Sequence, residues 1–120
     1  MKEPVIVFEH QNGVGILIFS GKLMSDKLKE EANEYIQANI QKGTKKFIVD
    51  LSLISLLNSA GLNTLIRIFT NTRNKGGQMI FVNNNNEVVN QLLTISKLNN
   101  IFEIYNAIEE AINQLNAQEA

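Results

Sequence analysis

Apolar residues recur along this chain with two different periods, and the switch between them marks the elements. Residues 5–9 and 15–19 are rich in Val, Ile and Phe and read as two strands. Asn12-Gly13 between them is a hairpin signal, because both residue types tolerate positive φ. Gly21 ends the second strand. Ser25 or Asp26 then caps a helix whose apolar positions, Leu28, Ala32, Tyr35, Ile36 and Ile40, share one face. Lys27, Lys29, Glu30, Glu31 and Glu34 take the other face, and Gly43 closes the helix.

The middle of the chain carries the strongest signal. Residues 47–51 are apolar except for Asp50, as a strand covered on both faces requires. A short apolar loop follows, and Asn58 is placed to cap a helix running to about Asn74. At 100° per residue, Gly61, Leu62, Leu65, Ile66 and Phe69 fall in one broad apolar arc, with Leu62 and Phe69 near its centre. Asn63, Arg67 and Thr70 share the polar edge on which Ser59 lies, and Ile66 borders it.

Beyond Lys75-Gly76-Gly77, a turn, residues 78–82 form the next strand. The run Asn83 to Asn86 reads as a loop that ends by capping a helix from Glu87, rather than as a low-complexity tract. That helix is expected to bury Val88, Leu92 and Ile95. Residues 101–105 form a last short strand, and Asn106 caps a final helix with Ala107, Ile108, Ala111, Ile112 and Leu115 on its buried side. The tail, residues 116–120, is expected to fray. The pattern predicts an α/β fold for residues 1–120 as one domain. Its sheet has about five strands, mixed but mostly parallel, with an N-terminal antiparallel hairpin and four helices, the crossovers right-handed.

Composition narrows the chemistry. The chain has 120 residues, 44% of them hydrophobic, enough for a sizeable core. A formal net charge of −1 leaves no basic footprint for nucleic acid. The absence of cysteine excludes disulfides and thiolate chemistry and agrees with a reducing compartment. The start Met1-Lys2-Glu3-Pro4 lacks the apolar stretch of a signal peptide, and no segment has the length of a membrane span. A cytoplasmic chain without membrane insertion is expected.

Catalytic patterns are missing. The single histidine, His10, sits at the end of the first strand beside the hairpin turn, where such a residue is ordinarily exposed. Ser59 lacks the Gly-x-Ser-x-Gly elbow of hydrolases, there is no phosphate-binding Gly-x-x-x-x-Gly-Lys loop, and no His or carboxylate cluster offers a metal site. Catalysis is not expected, and neither is a cofactor. Ser59 stands out for another reason: in the first helical turn, free amide protons and the helix dipole favour an anion, so its hydroxyl is well placed to carry a phosphate. On spacing alone, helping to cap the helix start is the favoured role. Asp50, at the carboxyl end of a central strand, either holds the following loop by accepting backbone amide protons or joins a surface that a partner reads.

The succession Asp50-Leu51-Ser52, a short apolar stretch, then Asn58-Ser59-Ala60-Gly61-Leu62 resembles the signature of the STAS family. Gly21-Lys22-Leu23, Gly76-Gly77 and the segment 98–105 fit the same family in the same order. The resemblance implies the fold described above and the role of the bacterial anti-sigma factor antagonists, which switch partners when one serine is phosphorylated. Ser59 aligns with that serine. Two positions depart from the pattern: Asn58 replaces an acidic residue before the serine, and Met24 replaces one shortly after the first Gly-x-Leu. Both lower the negative charge near Ser59.

By this resemblance the unmodified chain would bind an anti-sigma factor that is itself a serine kinase of the histidine-kinase-like ATPase fold. The binding surface would be Asn58, Ser59, Asn63, Ile66, Arg67 and Thr70, supported by Asp50 and Gly61. Phosphorylation of Ser59 would release the partner, a Ser/Thr phosphatase would reset the switch, and ATP and Mg²⁺ would belong to the kinase. Two other roles fit the family. One is a non-switching STAS subunit of a lipid-transport ATPase complex; the other is a sensor with a small-ligand pocket near Asp50.

Overall fold

The computed structural model describes residues 4–117. Strand β1 (Val5–Gln11) pairs antiparallel with β2 (Val14–Leu23) around Asn12-Gly13, whose φ values of 52° and 81° are those the hairpin turn needs. Strands β3 (Lys46–Leu57), β4 (Gln78–Val82) and β5 (Ile104–Tyr105) then add in parallel, giving a sheet in the order β1-β2-β3-β4-β5. The helices between them are α1 (Lys29–Gln41), α2 (Ser59–Asn74) and α3 (Glu87–Ile95), and α4 (Ile108–Ala117) follows β5.

The pleat divides the core in two. Phe47, Val49 and Leu51 of β3, with Leu17 and Phe19 of β2, point to the side on which α1, α2 and α3 pack. Ile48, with Val14, Ile16, Ile80 and Val82, points to the side covered by α4. Both faces of the first half of β3, residues 47–51, are therefore dry, which is why that stretch shows no alternation.

Several elements depart from the periodicity. β2 does not end at Gly21: that residue takes φ 86° and the strand continues to Leu23. Likewise residues 52–57, expected as a loop, are the second half of β3 and pair with residues 20–23 of β2. Register shifts between Ile18 and Ser20 and between Gly21 and Lys22 disrupt the period of two, so no strand pattern shows in the sequence. Helix α1 begins at Lys29 without a side-chain cap; the Ser25 hydroxyl accepts the Lys27 amide in the turn before it instead.

In α3 the buried residues are Val89 and Leu93, while Leu92 is half-buried and Val88 and Ile95 face outward, Ile95 with 77% of its surface exposed. The adjacent pairs Val88-Val89 and Leu92-Leu93 offer two apolar faces one residue apart, and only docking on the sheet chooses between them. Of the expected last strand only Ile104–Tyr105 forms; a 3-10 turn at Leu98–Asn100 precedes it, and residues 101–103 turn Phe102 into the core and leave Ile101 outside. Helix α4 starts two residues after Asn106, which contributes its amide to the Glu110 carboxylate at 3.1 Å; Ala107 is exposed and Ile108 only half-buried. Asn116 lies within α4 and accepts from Lys46 Nζ at 3.1 Å, whereas residues 118–120 of the expected frayed tail fall outside the described residues.

The arc of α2 is also rotated slightly from its expected centre. Leu65 and Ile68 are fully buried, and Phe69 lies half-buried against Phe81 and Phe102, at centroid distances of 6.0 and 5.0 Å. Truncating Phe69 to alanine should therefore lower the unfolding free energy by about 2 kcal/mol, less than a fully buried aromatic would lose. Ser59→Ala should lower it by no more than about 0.5 kcal/mol, because Asn58 remains the cap. Urea titration of the two variants checks the difference; equal losses would make Ser59 a structural residue.

Candidate functional site: the start and outer face of helix α2

Four interactions fix where α2 begins. Asn58, in extended conformation, accepts the Gly61 amide on its side-chain oxygen at 2.9 Å and the Leu62 amide on its carbonyl at 2.8 Å. Its side-chain amide donates to the Met24 carbonyl at 3.1 Å, tying the helix start to the end of β2. One turn on, the buried Thr64 hydroxyl donates to the Ser25 carbonyl at 3.3 Å. Gly61 completes the seating. A Cβ on it would lie 1.9 Å from the Leu23 carbonyl oxygen, so the helix approaches β2 as closely as it does only because this position has no side chain.

This framework leaves Ser59 exposed as the first residue of α2, beside the first-turn amides where an anion is favoured. Asn63, Ile66, Arg67 and Thr70 line one shallow groove along the outer side of the helix, joined by Asn71 and Asn74. Ser59 lies one turn ahead of that groove rather than in it. Asn58 is half-buried with both ends of its side chain engaged, so it braces the serine from below. Asp50 is nearly buried and accepts the Ser52 amide at 2.9 Å, bracing β3 where its ladder with β4 ends; the loop it was expected to hold is strand.

Two features of this face are absent from the sequence reading. From Leu51 to Asn86 the chain has Arg67, Arg73 and Lys75 but not one Asp or Glu, so α2 presents an acid-free surface. A count of charges by segment would have found it. Arg73 lies over the Phe69 ring, 5.5 Å from its centroid. The second is what Asn86 does beyond the helix cap read from the sequence. It caps α3 through the Val88 amide at 3.1 Å, and its side-chain amide faces the Leu51, Ser52 and Ile54 carbonyls at 3.3, 3.2 and 2.7 Å. The Ser52 hydroxyl accepts the Asn84 amide at 2.9 Å, and the buried Asn83 reaches Asn90 at 2.7 Å. The asparagine run is thus a clamp on the second half of β3, which leads into Asn58.

The groups whose acidity is displaced lie off α2. Burial raises the Tyr35 phenol, whose hydroxyl donates to the Glu9 carbonyl at 2.6 Å. Burial, with the hydrogen bond to Glu103, pushes Tyr105 up to about 12. Both stay neutral at physiological pH. Among the described residues no group of three or more His, Cys, Asp or Glu could hold a metal ion, and no helix is long and apolar enough to cross a membrane.

A mixed sheet with one antiparallel edge and helices on both faces matches a known family. A model of the STAS domain fits residues 5–111, and the chain belongs to that family. Within it, several similar proteins carry the name anti-sigma factor antagonist. A Thermotoga neapolitana protein described as an anti-sigma factor antagonist, a TM1081 homologue, is 30% identical over 76 residues, 63% of this chain and 66% of that protein. The crystal structure of TM1081 from Thermotoga maritima superposes with a TM-score of 0.75 at 24% identity, covering 91% of this chain and 92% of that one. The Bacillus cell fate determinant SpoIIAA in its phosphorylated form gives 0.67 at 18% identity, covering 92% and 99%. The fold is therefore that of the anti-sigma factor antagonists.

Proposed function

We propose that this protein is a bacterial, cytoplasmic partner-switching regulator of transcription, without catalytic activity or cofactor, controlled by phosphorylation of Ser59. The observation that carries the proposal is the placement of Ser59, exposed at the start of α2 and directly ahead of the groove formed by Asn63, Ile66, Arg67 and Thr70. The existence of SpoIIAA in phosphorylated and unphosphorylated forms supports it by kinship. The unmodified face binds an anti-sigma factor serine kinase, and a Ser/Thr phosphatase restores it. Asn58 acts by holding Ser59 in place, Gly61 by seating the helix and Asp50 by bracing the middle of β3.

A phosphate on Ser59 is tolerated by the fold, because the helix start offers amide protons and a favourable dipole. It is not tolerated by a bound partner. Covering a dianion without a matching cation costs several kcal/mol. The acid-free face further implies a partner surface that is itself acidic, which the dianion would repel.

Incubation with the cognate kinase and ATP should add the mass of one phosphate, and Ser59→Ala should abolish the gain. In calorimetric titration, Ser59→Asp should weaken partner binding at least about tenfold, or 1.4 kcal/mol. Arg67→Glu should weaken it by a similar factor without touching the helix start. If both variants bind as tightly as wild type, the interface lies off α2, and a non-switching subunit of a larger complex becomes the better account.

A further inference from the structure

The two edges of the sheet are treated differently. At one edge β5 is only two residues long, Ile104–Tyr105, too short to template another strand. At the other, β1 runs for seven residues, VIVFEHQ, and among the described residues no strand lies on its outer side. Protected edges carry lysine, an interior proline or a bulge. β1 has none of these: its ladder with β2 runs in unbroken register from Val5 to Gln11, and its one carboxylate is Glu9.

Side-chain exposure sharpens the contrast. Ile6 is buried and Phe8 stacks on Tyr35 at 4.3 Å, so these two point into the core beneath α1. Val5 and Val7 point the other way, toward the side of α4, and remain 49% and 46% exposed. Helix α4 packs across β2 to β5 and reaches the hairpin end of β1 at Gln11 and Asn12, but it leaves Val5 and Val7 exposed. Hydrogen-bonding edge and apolar margin thus coincide on one strand.

We propose that the protein self-associates through β1, two copies pairing their first strands antiparallel about a two-fold axis to make one continuous sheet. The occupant is a second copy because the strand is complementary to itself. With the axis at Val7, that residue meets its own symmetry mate, Ile6 lies opposite Phe8, and Val5 lies opposite Glu9. No like charges face each other, and β-branched and aromatic residues fill the cross-strand pairs. α2 packs on the opposite side of the sheet from α4, so pairing leaves both copies of the Ser59 face open. The dimer is bivalent toward whatever α2 binds, although the inference does not depend on that partner.

Sedimentation velocity of the full chain, from low micromolar to several hundred micromolar, should show a concentration-dependent monomer–dimer equilibrium. Val7→Lys sets two ammonium groups against each other at the axis and should raise the dissociation constant at least about tenfold. Ile95→Lys, on the exposed side of α3, should leave it unchanged. Circular dichroism establishes that each variant folds. Wild-type hydrogen exchange gives a readout independent of any variant: amides of residues 5–11 should exchange more slowly as concentration rises. A wild type that stays monomeric throughout, a Val7→Lys protein that associates like wild type, or a concentration effect confined to other segments overturns the proposal.

Discussion

Replacing Gly61 with alanine should cost about 3–4 kcal/mol of stability, although alanine is the better helix former by about 1 kcal/mol. The added methyl would sit 1.9 Å from the Leu23 carbonyl oxygen and 2.7 Å from its carbon. Backbone atoms of a paired strand cannot rotate away as a side chain can, so α2 must lift from β2 as a unit. Lifting breaks the Asn58–Met24 and Thr64–Ser25 hydrogen bonds, 3.1 and 3.3 Å long, which fasten the same corner. Chemical denaturation measures the loss. Because Ser59 moves with the helix, the phosphorylation proposed for Ser59 should also be slowed in the variant while it is still folded at low temperature. An unchanged or raised midpoint would show that the helix start is not seated against β2.

Asn86→Ala should cost about 2–3 kcal/mol, well above the roughly 1 kcal/mol of an ordinary N-cap. The cap bond to the Val88 amide is only part of what is lost. Two side-chain protons shared among the Leu51, Ser52 and Ile54 carbonyls go as well, leaving the edge of β3 without its donors. Asn86→Asp separates the two contributions. Aspartate caps a helix as well as asparagine, yet here its carboxylate would face three carbonyl oxygens and donate nothing. It should therefore be about as damaging as alanine in a thermal melt. If aspartate restores wild-type stability, Asn86 is a cap and nothing more.

These two residues show where sequence reasoning stops. Gly61 falls on the apolar arc, and Asn86 is recognisable as a cap from the helix that follows it. Neither position reveals its long-range partner, because a carbonyl from another strand leaves no trace in local spacing. The second half of β3 was lost for a related reason. Two register shifts disrupt its alternation, and residues 52–57 look like a loop until β2 is placed beside them. In α3, twin apolar pairs made two buried faces equally good on paper, and the sheet selected Val89 and Leu93.

The sequence by itself determined the order of the elements, the hairpin at Asn12-Gly13, the buried character of residues 47–51, and the start of α2 at Asn58 with Ser59 beside it. Those are local matters of period, capping and turn chemistry, legible because the residues that decide them are neighbours in the chain. Only the tertiary structure decided which side of α3 is buried, how far β2 and β3 run together, and that Ser59 stands just outside the groove of Asn63, Ile66, Arg67 and Thr70. It also left β1 as an edge strand with Val5 and Val7 exposed. Such features are set by contacts between segments far apart in the chain. Their energies depend on packing and hydrogen-bond geometry in three dimensions, which no local pattern encodes.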